Sequence, residues 1–184
     1  MTKEIRFKKE LALKIRNQQK TVTRRPIKGD LLELLLFFVG VDKEHLQTFG
    51  ELPVTDSLGQ NFKDGLERIW TAEYPDEGGA DFNCPYGKAG EEIKAVSDIG
   101  DDIPLLIKSV RIERIQDMTE EDAVLEGCTA VPCDHARYLC AEIGCCGPTA
   151  LGWFKHIWTG IYKEQYPWQS NPWVWVIEFE VVGG

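Results

Sequence analysis

Apolar and charged residues alternate at the start of the chain, with Ile5 and Phe7 set between Glu4, Arg6 and Lys8, and this two-residue period predicts a short strand. The period then lengthens. Leu11 and Ile15 lie one turn apart, which predicts a helix over Lys8 to Asn17. Thr21, Val22 and Thr23 are β-branched and resist continuing that helix, and Pro26 closes the segment, so Lys20 to Arg25 is read as a turn leading into an extended piece. No period holds between residues 31 and 83, where a compact apolar run gives way to spaced Gly, Pro and Asp. A strand is expected there only near Ile69 to Tyr74, and the stretch is predicted to be an insertion.

Alternation returns at Ile107, with Val110 and Ile112 on one face and Arg111 and Glu113 on the other, predicting a strand to about Ile115. Thr119 followed by Glu120, Glu121 and Asp122 is a helix start, because the hydroxyl caps free N–H groups and the acids meet the positive end of the helix dipole. Gly127 ends this helix. Residues 128 to 148, rich in Cys, Gly and Pro, are predicted to be a second insertion, after which Thr149 caps a helix carrying Leu151, Phe154, Trp158 and Ile161 on one stripe. Trp173 to Val182 is a closing strand, apolar at first and alternating through Glu178 and Glu180. Several strands, a few short helices and no strand–helix–strand rhythm predict one α+β domain over residues 1–184, a small β-barrel with helices outside it. Trp153, Trp158, Trp168, Trp173 and Trp175 fall on the apolar stripes or the last strand, and most are expected in the core.

Length and composition narrow the class. A chain of 184 residues with 43% hydrophobic and 28% charged residues suits one globular domain, not a disordered or collagen-like chain. The longest apolar run, Leu34 to Val39, is far short of the roughly 20 residues that cross a bilayer, and no secretory apolar core appears near the start. A cytoplasmic protein without a membrane partner is therefore expected. The net charge of −9 is uneven: residues 1–28 hold ten Lys/Arg against Glu4 and Glu10. The acidic remainder disfavours a broad embrace of nucleic acid but leaves room for a small basic site. Six cysteines, Cys84, Cys128, Cys133, Cys140, Cys145 and Cys146, with His135 nearby, form no C-x-x-C pair. Reduced thiols are expected, with no metal and no cofactor.

Two places carry candidate chemistry. In Lys20-Thr21-Val22-Thr23-Arg24-Arg25 a turn of the backbone brings an amine toward a hydroxyl three residues on, and Arg24, Arg25 and burial all favour the neutral amine that a base needs. A basic turn entering a strand is the plainer reading. Glu126, at the negative end of its helix, is a candidate proton donor, although a solvated terminal glutamate is commoner.

The order of several strings resembles a known family: Lys20 to Arg25, then Cys84-Pro85-Tyr86-Gly87 with Gly90, then Met118-Thr119-Glu120-Glu121-Asp122-Ala123 with Glu126-Gly127, the helix of Phe154 to Tyr162, and Asn171-Pro172-Trp173-Val174-Trp175-Val176-Ile177-Glu178-Phe179. Together they look like an ASCH domain of the phage-associated type, matched at both ends and in the middle but not in residues 31–80 and 128–148. The resemblance implies a PUA-like β-barrel and two kinds of activity. Some small members remove the acyl group from N4-acetylcytidine without a metal. Carried over by position, their proton acceptor, nucleophile and proton donor fall on Lys20, Thr23 and Glu126, with Arg24, Arg25, Tyr86 and Trp173 as candidate substrate-binding residues. The substrate implied is a small nucleoside or nucleobase. The alternative is a non-catalytic RNA- or nucleotide-binding module that stacks bases on Tyr86 or Trp173. A ribonuclease fits less well, because His45, His135 and His156 form no evident acid/base pair. The family usually has Gly just before the lysine turn, where this chain has Gln18 and Gln19, so Asn17 is expected to take up the left-handed backbone conformation. After Gly90, where the phage-type pattern commonly runs into an aromatic and an arginine, this chain has Ile93, Lys94 and Ala95.

Overall fold

The computed structural model describes residues 2–33, 84–97, 100, 102–130 and 149–183, and the backbone of 68, 69, 80 and 81. In chain order the elements are β1 (Glu4–Phe7), α1 (Lys9–Arg16), β2 (Val22–Pro26), β3 (Arg68–Ile69), β4 (Ala80–Asp81), β5 (Glu92–Ser97), β6 (Ile103–Arg114), α2 (Glu120–Leu125), α3 (Ala150–Tyr162) and β7 (Trp173–Val181). Most of the expected 31–83 insertion, including most of the Ile69–Tyr74 strand, lies outside the described residues, as do 131–148 with His135 and four of the cysteines. Of Ile69–Tyr74 only Ile69 is described, pairing with Ala80 in a two-residue ladder.

Five strands form one sheet in the order β1-β5-β6-β7-β2. β1 lies parallel to β5, and the other neighbours are antiparallel. The alternating strands bury one face: Ile5, Phe7, Ile93, Ala95, Ile103, Leu105, Ile107, Trp175, Ile177 and Phe179 share a core with Ile15 of α1. The opposite face of β2 and β7 packs Val22, Val174 and Val176 against Ala123 of α2 and Phe154 and Trp158 of α3. Burying one such aliphatic or aromatic side chain contributes about 1.5–3 kcal/mol, so both faces are needed to hold the sheet.

Among the described residues β1 and β2 are the two ends of this ladder and do not pair with each other, so strand hydrogen bonds do not close the expected barrel there. Side chains bridge the gap. Arg25 Nη2 of β2 donates to the Arg6 carbonyl of β1 at 2.8 Å, and its guanidinium lies 5.0 Å from the centre of the Phe7 ring. Two unpaired strand edges are thus drawn together and their backbone groups partly satisfied, which also blunts them as templates for aggregation.

A β-bulge between Ile107 and Ser109 changes the phase of β6. Before it, residues 103, 105 and 107 face the first core; after it, Val110 and Ile112 do. Arg111 and Glu113 are therefore turned to the other face, in line across the sheet with Val176 and Arg24.

α2 begins as the sequence predicts. Thr119 Oγ1 accepts from Asp122 N–H at 3.1 Å while the Asp122 carboxylate accepts from Thr119 N–H at 3.1 Å. It ends at Gly127, φ +84°, whose N–H bonds Val124 O while Cys128 N–H bonds Ala123 O. Glu120 reaches across to accept from the N–H of Ala150 and Leu151, so one helix caps the next. No helix among the described residues is long and apolar enough to cross a membrane.

Candidate functional site

The turn after α1 brings Lys20 under the end of α2. The left-handed residue there is Gln18, φ +57°, whereas Asn17 stays at φ −85°. The sequence expectation had named Asn17; the difference arises because Asn17 N–H still bonds Leu13 O, and the reversal comes one residue later. Thr21 N–H then bonds Leu125 O, tying this turn to the last residue of α2. Gly127 allows the approach: a Cβ there would lie 3.0 Å from Lys20 Cβ and 3.2 Å from Lys14 Cδ.

Lys20 is 2% exposed and Glu126 4%. Lys20 Nζ donates to Val22 O at 2.7 Å, to Glu126 O at 3.0 Å and to Glu126 Oε2 in a close ion pair. Three acceptors match the three protons of an ammonium. Burial pushes the Lys20 amine below its ordinary pKa of 10.5, and the Glu126 carboxylate opposes that push.

Arg24 meets the same carboxylate from the other side, with Nη1 3.4 Å from Glu126 Oε1. Its side chain is fully buried and surrounded by acids. Nε donates to Glu113 Oε1 at 2.7 Å, and Nη2 lies 2.7 Å from Glu113 Oε1 and 3.1 Å from Asp122 Oδ1. The Nη2 contacts are ion pairs off the hydrogen-bonding angle. Arg111 braces the outer side, with Nε 3.3 Å from Glu113 Oε2 and Nη1 2.8 Å from Glu178 Oε1. Burial works against the charge on Arg24, but Glu126, Glu113 and Asp122 outweigh it and raise its pKa.

Lys20, Thr23, Arg24, Arg25 and Glu126 line one cleft, closed on the far side by Phe154, Ile157, Trp158, Ile161 and Tyr162 of α3. Successive strand residues normally point to opposite faces. Thr23 and Arg25 pair with Ile177 and Trp175 of the first core, and Arg24 with Val176 of the second. All three reach one cleft because β2 is an outer edge of the sheet. The free space is about 30 Å³, enough for one or two waters. Thr23 is 2% exposed, and its hydroxyl makes no hydrogen bond among the described residues, to Lys20 or to any other group.

The ladder also leaves a backbone donor on the outer edge of β2. Ile27 N–H bonds Trp173 O, and Phe179 N–H bonds Thr21 O, so residues 21, 23, 25 and 27 bond inward to β7. By the alternation of an antiparallel pair, the N–H of Arg24 points outward.

The remaining sequence candidates lie elsewhere. Tyr86 packs half-buried on the first core, outside the cleft lining, and burial raises the pKa of its hydroxyl. Trp173 is also outside the cleft, with the Arg114 guanidinium 4.1 Å from its ring centre. That face is taken. Cys128 lines the cleft, its thiol pushed up to about 11 by burial and Glu126, while burial pushes Cys84 up to about 12. Both stay protonated near neutral pH. Sequence reasoning missed Glu113, Asp122 and Arg111 as members of the charge cluster; the polar face of β6 was visible, but its alignment with Arg24 depends on the bulge.

No protein-family model matches this sequence, and no curated protein does. The chain is similar to an ASCH domain from Lactobacillus crispatus JV V101 at 12% identity, with a TM-score of 0.38, over 94% of this chain and 70% of that one. It is also similar to a protein of Enterococcus faecalis V583 assigned to the DUF984 family, at 14% identity and a TM-score of 0.39 over the same shares. Both TM-scores fall below 0.5, so neither likeness fixes the fold of this chain or its activity.

Proposed function

We propose that the chain is a metal-independent amidohydrolase that removes the acyl group from N4-acylated cytosine or cytidine. The observation that carries this reading is the buried Lys20–Glu126 pair sharing a cleft with a Thr23 hydroxyl that has no hydrogen-bond partner among the described residues. In this scheme a proton moves from the Lys20 ammonium to Glu126 before the reaction, leaving Lys20 a neutral amine and Glu126 an acid, a transfer helped by the burial that lowers the Lys20 pKa.

Thr23 Oγ1 attacks the amide carbonyl as its proton passes to Lys20. The C–N bond then breaks as Glu126 protonates the departing exocyclic amine. Thr23 is left as an ester, with Lys20 as ammonium and Glu126 as carboxylate. The proton returns to Glu126, and water attacks the ester with Lys20 as its base, releasing the acid and regenerating the hydroxyl. The outward N–H of Arg24 adjoins Thr23 and serves as an oxyanion donor, a role worth about 3 kcal/mol. Arg24 does not contact substrate through its side chain in this scheme. Arg25, held by the Arg6 carbonyl and the Phe7 ring, is the cleft cation that no acid pairs among the described residues, and it faces the substrate in this scheme. A nucleobase exceeds the free space, so the wall made by Ile157, Ile161 and Tyr162 moves aside on binding.

Purified protein incubated with N4-acetylcytidine is expected to form cytidine and acetate. Thr23→Ala and Lys20→Ala each lower kcat by about a thousandfold or more. Absence of turnover, or variants as active as the parent, overturns the reading. An inert protein that binds RNA in a salt-sensitive manner would instead support the non-catalytic alternative.

A further inference from the structure

Five charged groups beyond the reacting pair, on β2, β6, β7 and α2, form a chain of ion pairs that ends on Glu126, and their contacts have a direction. Arg24 faces Glu126, Glu113 and Asp122 face Arg24, and Arg111 faces Glu113 and Asp122, with Nη2 3.6 Å from Asp122 Oδ1. Glu178 of β7 in turn holds Arg111. The side chains of Glu113 and Asp122 are only 16% and 20% exposed, so water screens these contacts incompletely. Neither acid lines the cleft.

We propose that Glu113 and Asp122 are positioning residues for the hydrolysis, acting through Arg24: by neutralising its guanidinium they limit its hold on Glu126 and keep the proton shared with Lys20 free to move. The proposal rests on the amidohydrolase reading. An uncompensated Arg24, 3.4 Å from Glu126 Oε1, would pin that carboxylate in its ionised form. Lys20 would then stay an ammonium with three acceptors and could not take the proton of Thr23. With its two acids in place, Arg24 still orients Glu126 but exerts little net charge on it. Arg111 trims the opposite way, by drawing on the same two acids.

The other groups facing the pair leave this balance to the cluster. Lys20 meets Arg25 on β2 and the thiol of Cys128 after α2. Its Nζ lies 5.9 Å from the centre of the Phe7 ring on β1. Lys14 of α1 is engaged by Gly127 O, and Tyr162 of α3 closes the cleft. Among these only Arg25 is a fixed charge on the cleft side.

The sign follows from charge. Glu113→Gln removes a negative charge and makes the surroundings of the pair more positive. Both limbs of the bell-shaped pH profile of kcat/KM then move to lower pH, by roughly half a unit to one unit, and the plateau of kcat falls several-fold with KM little changed. Arg111→Gln removes a positive charge, and both limbs move to higher pH. Structural damage alone would lower activity in both variants without shifting the limbs in opposite directions.

The experiment measures pH profiles with N4-acetylcytidine for the parent, Glu113→Gln and Arg111→Gln. In parallel, NMR follows the titration of Lys20 in protein labelled at lysine Cε, with assignment by Lys20→Arg. Opposite shifts of the Lys20 titration support the electrostatic proposal even if the chain proves inert toward this substrate. Parent activity with unshifted limbs in both variants, or shifts of the same sign, overturns it. An inert parent overturns the hydrolase reading instead, and with it the catalytic meaning of the shifts.

Discussion

Ion pairs occur in two settings in this molecule, and they differ in what their charges do. Along the solvent side of the sheet, Lys94 meets Asp102 at 3.0 Å and Lys108 meets Glu180 at 3.3 Å, each side chain about half exposed. Such pairs typically contribute 0–1 kcal/mol, because water already solvates both partners. Beside β2, Lys20, Arg24 and Glu126 have almost no access to water. There the loss of hydration is offset only by complementary partners, and hydrophobic residues of similar volume would serve stability as well or better. A sheet edge that needed only stability had no use for this cluster. Its position on a cleft that also holds the Thr23 hydroxyl is what favours a chemical role.

The largest expected difference between the two settings comes from removing one partner. Glu126→Ala leaves the Lys20 ammonium buried with two carbonyl acceptors and no counter-charge, and is expected to destabilise the protein by about 3–5 kcal/mol. Asp102→Ala is expected to cost less than about 1 kcal/mol. Urea unfolding of both variants checks the contrast. Equal, small losses would mean that water reaches Lys20 freely and that the cluster is an ordinary surface network.

A smaller effect separates the clusters in acid. Burial pushes the Asp122 carboxyl up, but the Thr119 N–H, the Arg24 guanidinium and the Thr119 hydroxyl together hold it below its ordinary value of 3.8. A carboxyl depressed on folding adds stability above that value, and the gain is lost as pH falls through the folded-state pKa. Lys20 acts in the same direction at the alkaline end: depressed by burial, it makes stability rise with pH between its folded value and 10.5. Asp122→Asn is therefore expected to lower stability at pH 7 and to flatten its loss below about pH 4. Thermal unfolding between pH 2 and 7 measures both. A parent and an Asp122→Asn variant that lose stability in parallel would remove Asp122 from the set of depressed carboxyls.

What could be read beforehand divides along similar lines. β1, α1 and α3 follow from local periodicity, and their ends fall within one or two residues of expectation; β7 follows from an apolar run and later alternation just as closely. β5 was missed, although Ile93 and Ala95 alternate with Glu92 and Lys94, because a six-residue strand with one small apolar residue carries little contrast. β6 begins at Ile103 rather than Ile107 because Pro104 masks its start. Proline is tolerated there at the end of the β7 ladder, where its carbonyl still accepts from Val182 N–H. Lys20, Thr23 and Glu126 stood out as candidates in the sequence and took their roles from a family resemblance, and it is tertiary structure that places them on one cleft. The acids around Arg24 were not legible at all: a bulge reverses the phase of β6 and no one-dimensional pattern reports which residue it will face. That β1 and β2 do not pair among the described residues was equally hidden, since the 14 residues between the two strands do not fix their distance in the fold.

The turn at Gln18 offers the smallest and most local test of what the buried cluster needs. A non-glycine residue at φ +57° costs about 1 kcal/mol in backbone strain, and the chain accepts it to bring Lys20 beneath Gly127. Gln18→Gly relieves that strain but also loosens the unfolded chain, so a net gain of about 0.5 kcal/mol is expected. Because Gln18 N–H bonds Ile15 O and Gln19 N–H bonds Lys14 O through the backbone, the turn keeps its hydrogen bonds after the change. The cleft is then unaltered, and kcat on N4-acetylcytidine should match the parent while the melting temperature rises by a degree or two. A comparable substitution at Lys108 on the exposed ladder, Lys108→Ala, should move neither quantity. If Gln18→Gly instead lowers the melting temperature, the left-handed turn is not the strained point of this edge, and the placement of Lys20 rests on the Thr21–Leu125 and Gly127 contacts alone.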